Sequence, residues 1–336
     1  MSDTILEVQD LVVDIPVSAG MLHPVQSISF KVDKGETLCI VGESGCGKSL
    51  TSLAVMNLLP KSANCTATKL SLDGEDLQST SERRMSDIRG NKMSMIFQEP
   101  MTSLNPAYTI GNQLTEALLR HKKVSQSEAR DRAIYLLEKV GITAAASRLT
   151  QYPHQLSGGL RQRVMIAMAL MCGPEMIIAD EPTTALDVTI QAQILHLLAD
   201  LQKEFNMGMI LITHDLGVVS RVADRVAVMY AGQIVETGTG KQVFENPTHP
   251  YTQGLLECIP IPGKTERGAH LGSIPGIVPS LVGDLPGCHF ADRCRHVMDT
   301  CRTGTIDLSP SFEDGHVYRC VQTPEQCAAN LKKGAA

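Results

Sequence analysis

Residues 37–51 read TLCIVGESGCGKSLT, in which the apolar run Leu38–Val41 is followed by the pattern G-x-x-x-x-G-K-[ST] at Gly42–Ser49. Glycines in this pattern let backbone N–H groups face a polyphosphate, and the next helix directs its positive dipole end at the same charge. Lys48 is placed to reach the β- and γ-phosphates, and the Ser49 hydroxyl to bind Mg²⁺. The sequence therefore predicts a nucleotide site with candidate residues Gly42, Glu43, Ser44, Gly45, Cys46, Gly47, Lys48, Ser49 and Thr51.

The bulk composition limits the class of protein. The chain has 336 residues, of which 43% are hydrophobic, and a net charge of −6. This length suits one large or two unequal domains. A negative balance without a basic stripe argues against a nucleic-acid partner.

The N-terminal residues show no secretion signal, because Met1–Glu7 has neither a basic segment nor an apolar core. The densest apolar run, Val164–Cys172, is far too short to cross a bilayer. We therefore expect a soluble chain whose membrane association, if any, is indirect.

Apolar strands alternate with helices along most of the chain, which predicts an α/β core with a largely parallel sheet. The clearest strand runs are Met93–Gln98, Met176–Ala179 and Met209–Thr213, and a mostly helical stretch covers Ile110–Cys172. Beyond about Asn246, proline, glycine and cysteine become frequent and long helices disappear. We therefore expect a second, small domain over residues 246–336.

Two carboxylates, Asp180 and Glu181, follow the apolar strand at Met176. Taken alone, they fit an ordinary strand end with solvated acids. Next to a phosphate-binding loop, Asp180 fits the second Mg²⁺ ligand and Glu181 the group that polarises the attacking water.

A second anion site is predicted at Ser157, Gly158 and Gly159, which precede the apolar helix at Val164–Cys172. Exposed N–H groups at a helix start bind anions well. Without further context, a plain capped helix start explains the same residues.

The order of these motifs resembles the ATPases of ABC transporters. Leu156–Arg163 is similar to the LSGGQ-type signature, with Leu160 where the consensus has glutamine. Gln98 resembles the Q-loop, Ala185–Asp187 the D-loop and His214 the switch histidine. The resemblance implies a P-loop NTPase core over 1–245, with a mixed sheet and a helical subdomain at about 99–172.

The same resemblance implies a head-to-tail pair of such domains. ATP would bind between the loop Gly42–Ser49 of one subunit and Ser157–Gly159 of the other. Catalysis would use Glu181 as general base, His214 at the γ-phosphate and Gln98. The implied Mg²⁺ ligands are Ser49, Gln98 and Asp180. The residue that contacts adenine stays open between Ile15 and His23.

Four further stretches resemble the ATPases of oligopeptide and dipeptide importers. They are Phe97–Pro106, Asn246–Gln253, Ile274–Pro279 and Pro286–Cys294. The resemblance implies two permease subunits, a second homologous ATPase and an external substrate-binding protein as partners. It also implies a peripheral location on the cytoplasmic face of the inner membrane.

The alternatives to this interpretation make different demands on the sequence. A soluble ABC ATPase of DNA repair or translation would need an inserted coiled coil, a zinc hook or tandem cassettes, and a P-loop kinase would leave Leu156–Arg163 unexplained. Within the importer interpretation the cargo stays open among dipeptides, oligopeptides, nickel chelates, glutathione and sugars.

The C-terminal region contains a set of four cysteines, Cys288-x5-Cys294-x6-Cys301-x18-Cys320. Four thiolates suit zinc or an iron–sulfur cluster, and the spacing alone decides little between these and free thiols. The resemblance to importer ATPases favours a [4Fe–4S] cluster, with Cys327 as a spare. Arginines beside the thiols, among them Arg293, Arg295 and Arg302, are expected to be solvated.

Overall fold

The computed structural model describes residues 3–99, 103–183, 187–258 and 272–334. They divide into two compact units, which are described one at a time. The first contains the described residues of Met1–Glu7, Lys31–Thr37 and Ser71–Ile212. The second contains those of Val8–Phe30, Leu38–Leu70 and Thr213–Ala336.

The described strands, in chain order, are β1 (Thr4–Val17), β2 (Gly20–Asp33), β3 (Thr37–Val41), β4 (Asn64–Thr66), β5 (Lys69–Leu72), β6 (Glu75–Asp76), β7 (Met93–Ile96), β8 (Met176–Asp180), β9 (Gly208–Ile212), β10 (Arg225–Tyr230), β11 (Gln233–Thr239), β12 (Ser309–Pro310) and β13 (Val317–Tyr318).

The described α-helices are α1 (Lys48–Val55), α2 (Glu82–Ile88), α3 (Ile110–His121), α4 (Gln126–Lys139), α5 (Ala145–Arg148), α6 (Gly158–Ala169), α7 (Val188–Phe205), α8 (Leu216–Val222), α9 (Gly240–Glu245), α10 (Pro250–Glu257) and α11 (Pro324–Gly334). Short 3-10 turns occur at Pro153–Gln155, Ala291–Arg293 and Asp299–Arg302.

In the first unit, β7, β8 and β9 form a parallel sheet. All five residues of β8 and of β9 are buried. Strands covered on both faces consist of nearly continuous apolar residues, which is the pattern that predicted them. The parallel register pairs Asp180 with Ile212, the last residues of β8 and β9. Asp180 therefore lies at the edge of this sheet where the strands have their carboxyl ends.

The helical part of the first unit begins and ends where its sequence provides caps. Thr109 caps α3, and Ser125 with Glu128 forms a capping box at α4. Gly141, with φ of 77°, follows the end of α4. The helix Gln126–Lys139 lies within the mostly helical stretch that was predicted over Ile110–Cys172.

In the second unit, β3 pairs in parallel with β10, and β10 forms an antiparallel hairpin with β11. The hairpin turn has positive φ at both Ala231 (44°) and Gly232 (84°), which matches the right-handed twist of its strands. The two strands therefore form a tight β-hairpin, in which β11 extends to Thr239.

The C-terminal region contains more regular structure than its composition indicated. β13 adds to β11, and β12 adds to β13. α11 covers Pro324–Gly334, so the expectation that long helices disappear beyond Asn246 is wrong here. The N-cap signal was present, because Thr323 accepts the backbone N–H of Gln326. The domain boundary near residue 245 stays a prediction.

None of the described helices combines the length and the apolar character that a bilayer crossing requires.

Candidate functional site

The loop Gly42–Ser49 of the second unit has the backbone geometry that its glycines permit. Gly42 has φ of 153° and Gly47 φ of 104°. A Cβ at Gly42 would lie 2.1 Å from the Met229 carbonyl oxygen, and one at Gly47 would lie 2.0 Å from that of Pro24. The loop packs so closely on its neighbours that these two positions accept only glycine.

Lys48 opens α1 and turns its side chain back into the loop. Its Nζ donates to the carbonyl oxygens of Gly42 and Glu43, each at 2.9 Å. Lys48 is buried, while Ser44 and Gly45 at the tip of the loop are exposed. The ammonium is therefore fixed inside the curve of the backbone, where an approaching phosphate would meet it.

Two further loop residues have local structural roles. Thr51 Oγ1 donates to the Gly47 carbonyl oxygen at 3.0 Å, which holds the first turn of α1. Cys46 is buried, and burial raises the pKa of its thiol. A neutral, buried thiol packs as a small apolar side chain.

The carboxylates of the first unit lie at the end of β8. Asp180 is 5% exposed, and the Glu181 N–H donates to the Ile212 carbonyl oxygen at 2.9 Å. Glu181 has φ of 42°. Such a conformation is uncommon for a residue with a Cβ and is often found at functional sites.

Gln98 lies beside the second of these acids. Its Nε2 donates to Glu181 Oε2 at 2.9 Å. The structure thus brings together two residues that are 83 positions apart in the chain and that the resemblance to ABC-transporter ATPases assigned to one reaction.

Ser157 is the N-cap of α6, as its sequence indicated. Its side chain accepts the N–H of Leu160 at 3.4 Å, and both Ser157 and Gly158 are exposed. α6 has 12 residues. This helix start is therefore solvent-accessible and electrostatically suited to an anion.

The remaining predicted residues are the switch histidine, the D-loop and the two candidates for the adenine contact. His214 lies in the second unit, is exposed, and accepts the Leu216 N–H on its carbonyl oxygen. In the D-loop, Asp187 is the N-cap of α7, whereas Ala185 and Leu186 lie outside the described residues. Of the two candidates near adenine, His23 Nδ1 lies 2.6 Å from Asp14 Oδ1.

The four cysteines of the C-terminal set line one small pocket. Each sulfur accepts at least one backbone N–H group. The N–H of Phe290 donates to Cys288, that of His296 to Cys294 at 3.4 Å, and that of Met298 to Cys301 at 3.4 Å. Cys320 accepts the N–H groups of Val321 and Gln322. Donors aimed at sulfur are typical of loops that hold thiolates on a metal or cluster.

The protonation of these thiols reflects their burial. Burial, and then the mutual repulsion of the thiolates, raises the pKa of Cys288 to about 12 and that of Cys294 to about 11. A hydrogen bond from Cys327 lowers the pKa of Cys320 to about 7.

Among the residues that the structure describes, no group of three or more His, Cys, Asp or Glu side chains is arranged to hold a single metal ion.

Sequence reasoning missed two side chains that contact the phosphate-binding loop. The Tyr251 hydroxyl accepts the Glu43 N–H at 2.9 Å, and Arg293 Nη1 donates to Glu43 Oε2 at 2.8 Å. The side chain of Arg293 is only 6% exposed, so the expectation that it is solvated is wrong. Arg295 and Arg302 are 55% exposed, as expected.

Comparison with protein families identifies two regions of the chain. Residues 25–184 match the ABC transporter family, and residues 235–301 match the C-terminal region of oligopeptide/dipeptide transporters.

Curated relatives share about half of their residues with this chain. The dipeptide transport ATP-binding protein DppD of Bacillus subtilis is 53% identical over 89% of both chains. The oligopeptide transport ATP-binding protein AppD of the same organism is 50% identical over 97% of this chain and 98% of its own.

Solved structures with a similar fold include a dimeric ATP-binding cassette, MJ0796, in a post-hydrolysis state bound to ADP and Pi. It is 25% identical, covers 70% of this chain and 98% of its own, and has a TM-score of 0.62. The cbiO1 protein of Clostridium perfringens, part of an ABC transporter complex, is 28% identical, covers 72% of this chain and 91% of its own, and has a TM-score of 0.61.

Proposed function

Because the chain belongs to the ABC transporter family of ATP-binding proteins, we propose that it is the ATP-hydrolysing subunit of an importer for dipeptides or oligopeptides. The fold is the α/β ABC ATPase fold of the similar structures. The observation that carries the proposal is the loop Gly42–Ser49, with Lys48 fixed inside it, in a chain that also pairs Gln98 with Glu181.

The loop Gly42–Ser49 binds ATP in this proposal through its backbone, the start of α1 and Lys48. Backbone N–H groups at the tip of the loop and the N-terminus of α1 would face the phosphates, and Lys48 adds a positive charge. Lys48 already makes two hydrogen bonds to the loop. Little reorganisation is therefore needed when the phosphates bind.

Hydrolysis requires a base for the attacking water, and Glu181 is assigned that role. Its positive φ sets the direction of the Cα–Cβ bond, and the amide of Gln98 holds one carboxylate oxygen at 2.9 Å. In this role the Glu181 carboxylate would accept a proton from a water aligned with the γ-phosphate. His214 is assigned to the γ-phosphate by the same resemblance.

The residues assigned to Mg²⁺ are Ser49, Gln98 and Asp180. A hydroxyl, an amide oxygen and a carboxylate are oxygen ligands that Mg²⁺ accepts, and Asp180 is a buried acid at a strand end. When bound, the ion neutralises the charge of the phosphates.

The site is proposed to be completed by a second ATPase subunit. Ser157, Gly158 and Gly159 would contact, in trans, a nucleotide bound to the loop of that subunit. The exposed N-terminus of α6 supports this assignment, as does the dimeric state of the similar cassette MJ0796. The other proposed partners are two permease subunits and an external substrate-binding protein, with this chain on the cytoplasmic face of the membrane.

We also propose that Cys288, Cys294, Cys301 and Cys320 hold a [4Fe–4S] cluster. Their shared pocket and the N–H groups directed at all four sulfurs support the assignment. Such a cluster would fasten a C-terminal segment that contains few apolar residues of its own. Zinc at the same thiols and free thiols are the outcomes against which it is tested.

The transport role is tested by growth. A strain that lacks this chain should fail to grow on a peptide as the source of a required amino acid. The wild-type chain should restore growth and Glu181→Gln should not. If the deletion strain grows normally on dipeptides and oligopeptides, peptides are not the cargo. Impaired uptake of nickel, glutathione or a sugar in that strain would identify the cargo instead.

A further inference from the structure

The buried guanidinium of Arg293 connects the four-cysteine segment with the phosphate-binding loop. Nη1 donates to Glu43 Oε2 at 2.8 Å and to the Tyr230 hydroxyl at 3.3 Å. The other nitrogens donate to the carbonyl oxygens of Pro275 at 3.0 Å and Ile274 at 3.2 Å. Arg293 is therefore held on several sides and cannot move without breaking one of these bonds.

Glu43 is held by its backbone as well as by its side chain. Its N–H donates to the Tyr251 hydroxyl at 2.9 Å. Tyr251 is completely buried, and its ring lies 4.6 Å from that of Tyr230 and 5.3 Å from that of Phe290. The C-terminal region thus fixes the second residue of the loop at two separate atoms.

Arg293 immediately precedes one of the four cysteines, so its contact with Glu43 depends on the geometry of the four-cysteine segment. It ends the 3-10 turn Ala291–Arg293, and the next residue, Cys294, accepts the N–H of His296 on its sulfur. A change in the geometry of the four-cysteine segment would therefore move the guanidinium relative to Glu43.

Charge gives a second reason why the contact matters for a polyphosphate site. Glu43 places a carboxylate on a loop that must receive three or four negative charges. A carboxylate and a phosphate held in the same loop repel each other, and the repulsion is stronger where water is partly excluded. The guanidinium at 2.8 Å offsets this repulsion and holds the acid aside.

We propose that Arg293 is a positioning residue for the phosphate-binding loop, through which the four-cysteine segment sets the affinity of the chain for nucleoside triphosphate. The inference rests on the proposed function in one respect, that Gly42–Ser49 binds ATP. A loop held in its binding geometry loses less conformational freedom when the ligand arrives, so the ion pair favours binding without touching the nucleotide.

The test measures the dissociation constant of the fluorescent analogue MANT-ATP with Mg²⁺ on the full-length chain. Arg293→Met is expected to raise it about tenfold. Adding Glu43→Gln to that variant should recover a large part of the loss, because the uncompensated carboxylate is then gone. A residue that only stabilised the fold would not be rescued by removal of its partner's charge.

The matched control is Arg295→Met, which also lies beside Cys294 but pairs with Glu257 at the surface at 3.2 Å. It should bind MANT-ATP as the wild type does. If Arg293→Met does not fold, Arg293→Gln keeps hydrogen-bond donors at the site without the charge, and the same rescue by Glu43→Gln is expected.

The role of the cysteine segment is tested with Cys294→Ser. This substitution should weaken MANT-ATP binding in the wild-type background and have little further effect in Arg293→Met, because both act through one contact. Equal and independent losses in the two backgrounds would refute the proposed connection.

These measurements distinguish failure of ATP binding by the chain from failure of the role proposed for Arg293. If the wild-type chain does not bind MANT-ATP, the proposed function fails. If the wild type binds and Arg293→Met binds equally well, or if Glu43→Gln gives no rescue, only the role of Arg293 is refuted.

Discussion

Gln98 Nε2 donates a hydrogen bond of 2.9 Å to Glu181 Oε2. The amide holds one carboxylate oxygen, and the positive φ of Glu181 sets the direction of its Cα–Cβ bond. A general base works only when it is aimed at the proton that it accepts. This contact therefore couples the position of residue 98, which follows β7, to the orientation of the Glu181 carboxylate.

Glu181→Gln is expected to abolish ATP hydrolysis and to preserve ATP binding. Glutamine keeps the size of the side chain but cannot accept a proton, and loss of a general base reduces turnover by about 10²–10⁴-fold. Phosphate release and MANT-ATP binding measure the two effects. Glu175→Gln, which removes a carboxylate next to the opposite end of β8, is the control and should leave turnover unchanged. Undiminished hydrolysis by Glu181→Gln would refute the assignment.

Asp180→Asn is expected to raise the Mg²⁺ concentration needed for half-maximal hydrolysis by about tenfold, a loss of about 1.4 kcal/mol in metal affinity. The amide keeps the shape of the side chain but not the charge that attracts the ion. Asp200→Asn, at an exposed position of α7, should behave as the wild type. An unchanged Mg²⁺ dependence in Asp180→Asn would show that the carboxylate is not a ligand.

Glu236 is the centre of a buried network that the fold depends on. It is 0% exposed, accepts the N–H groups of Thr248 at 2.7 Å and His249 at 2.9 Å, and lies 2.7 Å from His316 Nε2. Glu236→Gln places an amide N–H₂ against these donors and should lower the free energy of unfolding by about 2–4 kcal/mol.

Urea unfolding followed by circular dichroism checks this prediction. The matched control is Glu245→Gln, an exposed position of α9, which should change the free energy of unfolding by less than about 0.5 kcal/mol. Equal stability of the two variants would show that the network has no stabilising role.

Protein purified without oxygen is expected to be brown and to contain iron and acid-labile sulfide in equal amounts. Cys301→Ser should lose the colour, since it removes one of the four sulfurs that line the pocket. Cys65→Ser is the control, because Cys65 belongs to β4 and should leave the iron content unchanged. A colourless wild-type sample with one zinc per chain, or with no metal, would refute the cluster.

Much of the fold could be predicted because the deciding signals are local. Gly42 and Gly47 indicate a loop in which a Cβ would clash with neighbouring backbone. The buried strands β8 and β9 are continuous apolar runs. Ser157 and Ser125 mark helix starts through their own side chains. These features require only a few neighbouring residues, so the sequence contains them directly.

The contacts that the sequence did not reveal join distant parts of the chain. Arg293 and Glu43 are 250 positions apart, and Glu236 and His316 are 80 apart. A buried arginine and a solvated arginine look the same in a sequence, because burial is decided by the packing of segments that are far apart along the chain. For the same reason, the spacing of the four cysteines did not show that they share a pocket.

Completion of each ATP site by a second subunit is tested at the start of α6. Ser157→Asp keeps an N-cap, since aspartate caps as well as serine, but adds a negative charge where a triphosphate should lie. Ser157→Asn keeps the N-cap without the charge. Both variants are assembled with the partner ATPase and labelled with a photoreactive ATP analogue, and the two subunits are separated by mass.

A site shared between two subunits predicts that Ser157→Asp strongly reduces labelling of the partner subunit and leaves the label on its own chain largely intact. Ser157→Asn should have a much smaller effect on either subunit. Loss of label from the substituted chain itself, with the partner labelled as in the wild type, would contradict a shared site.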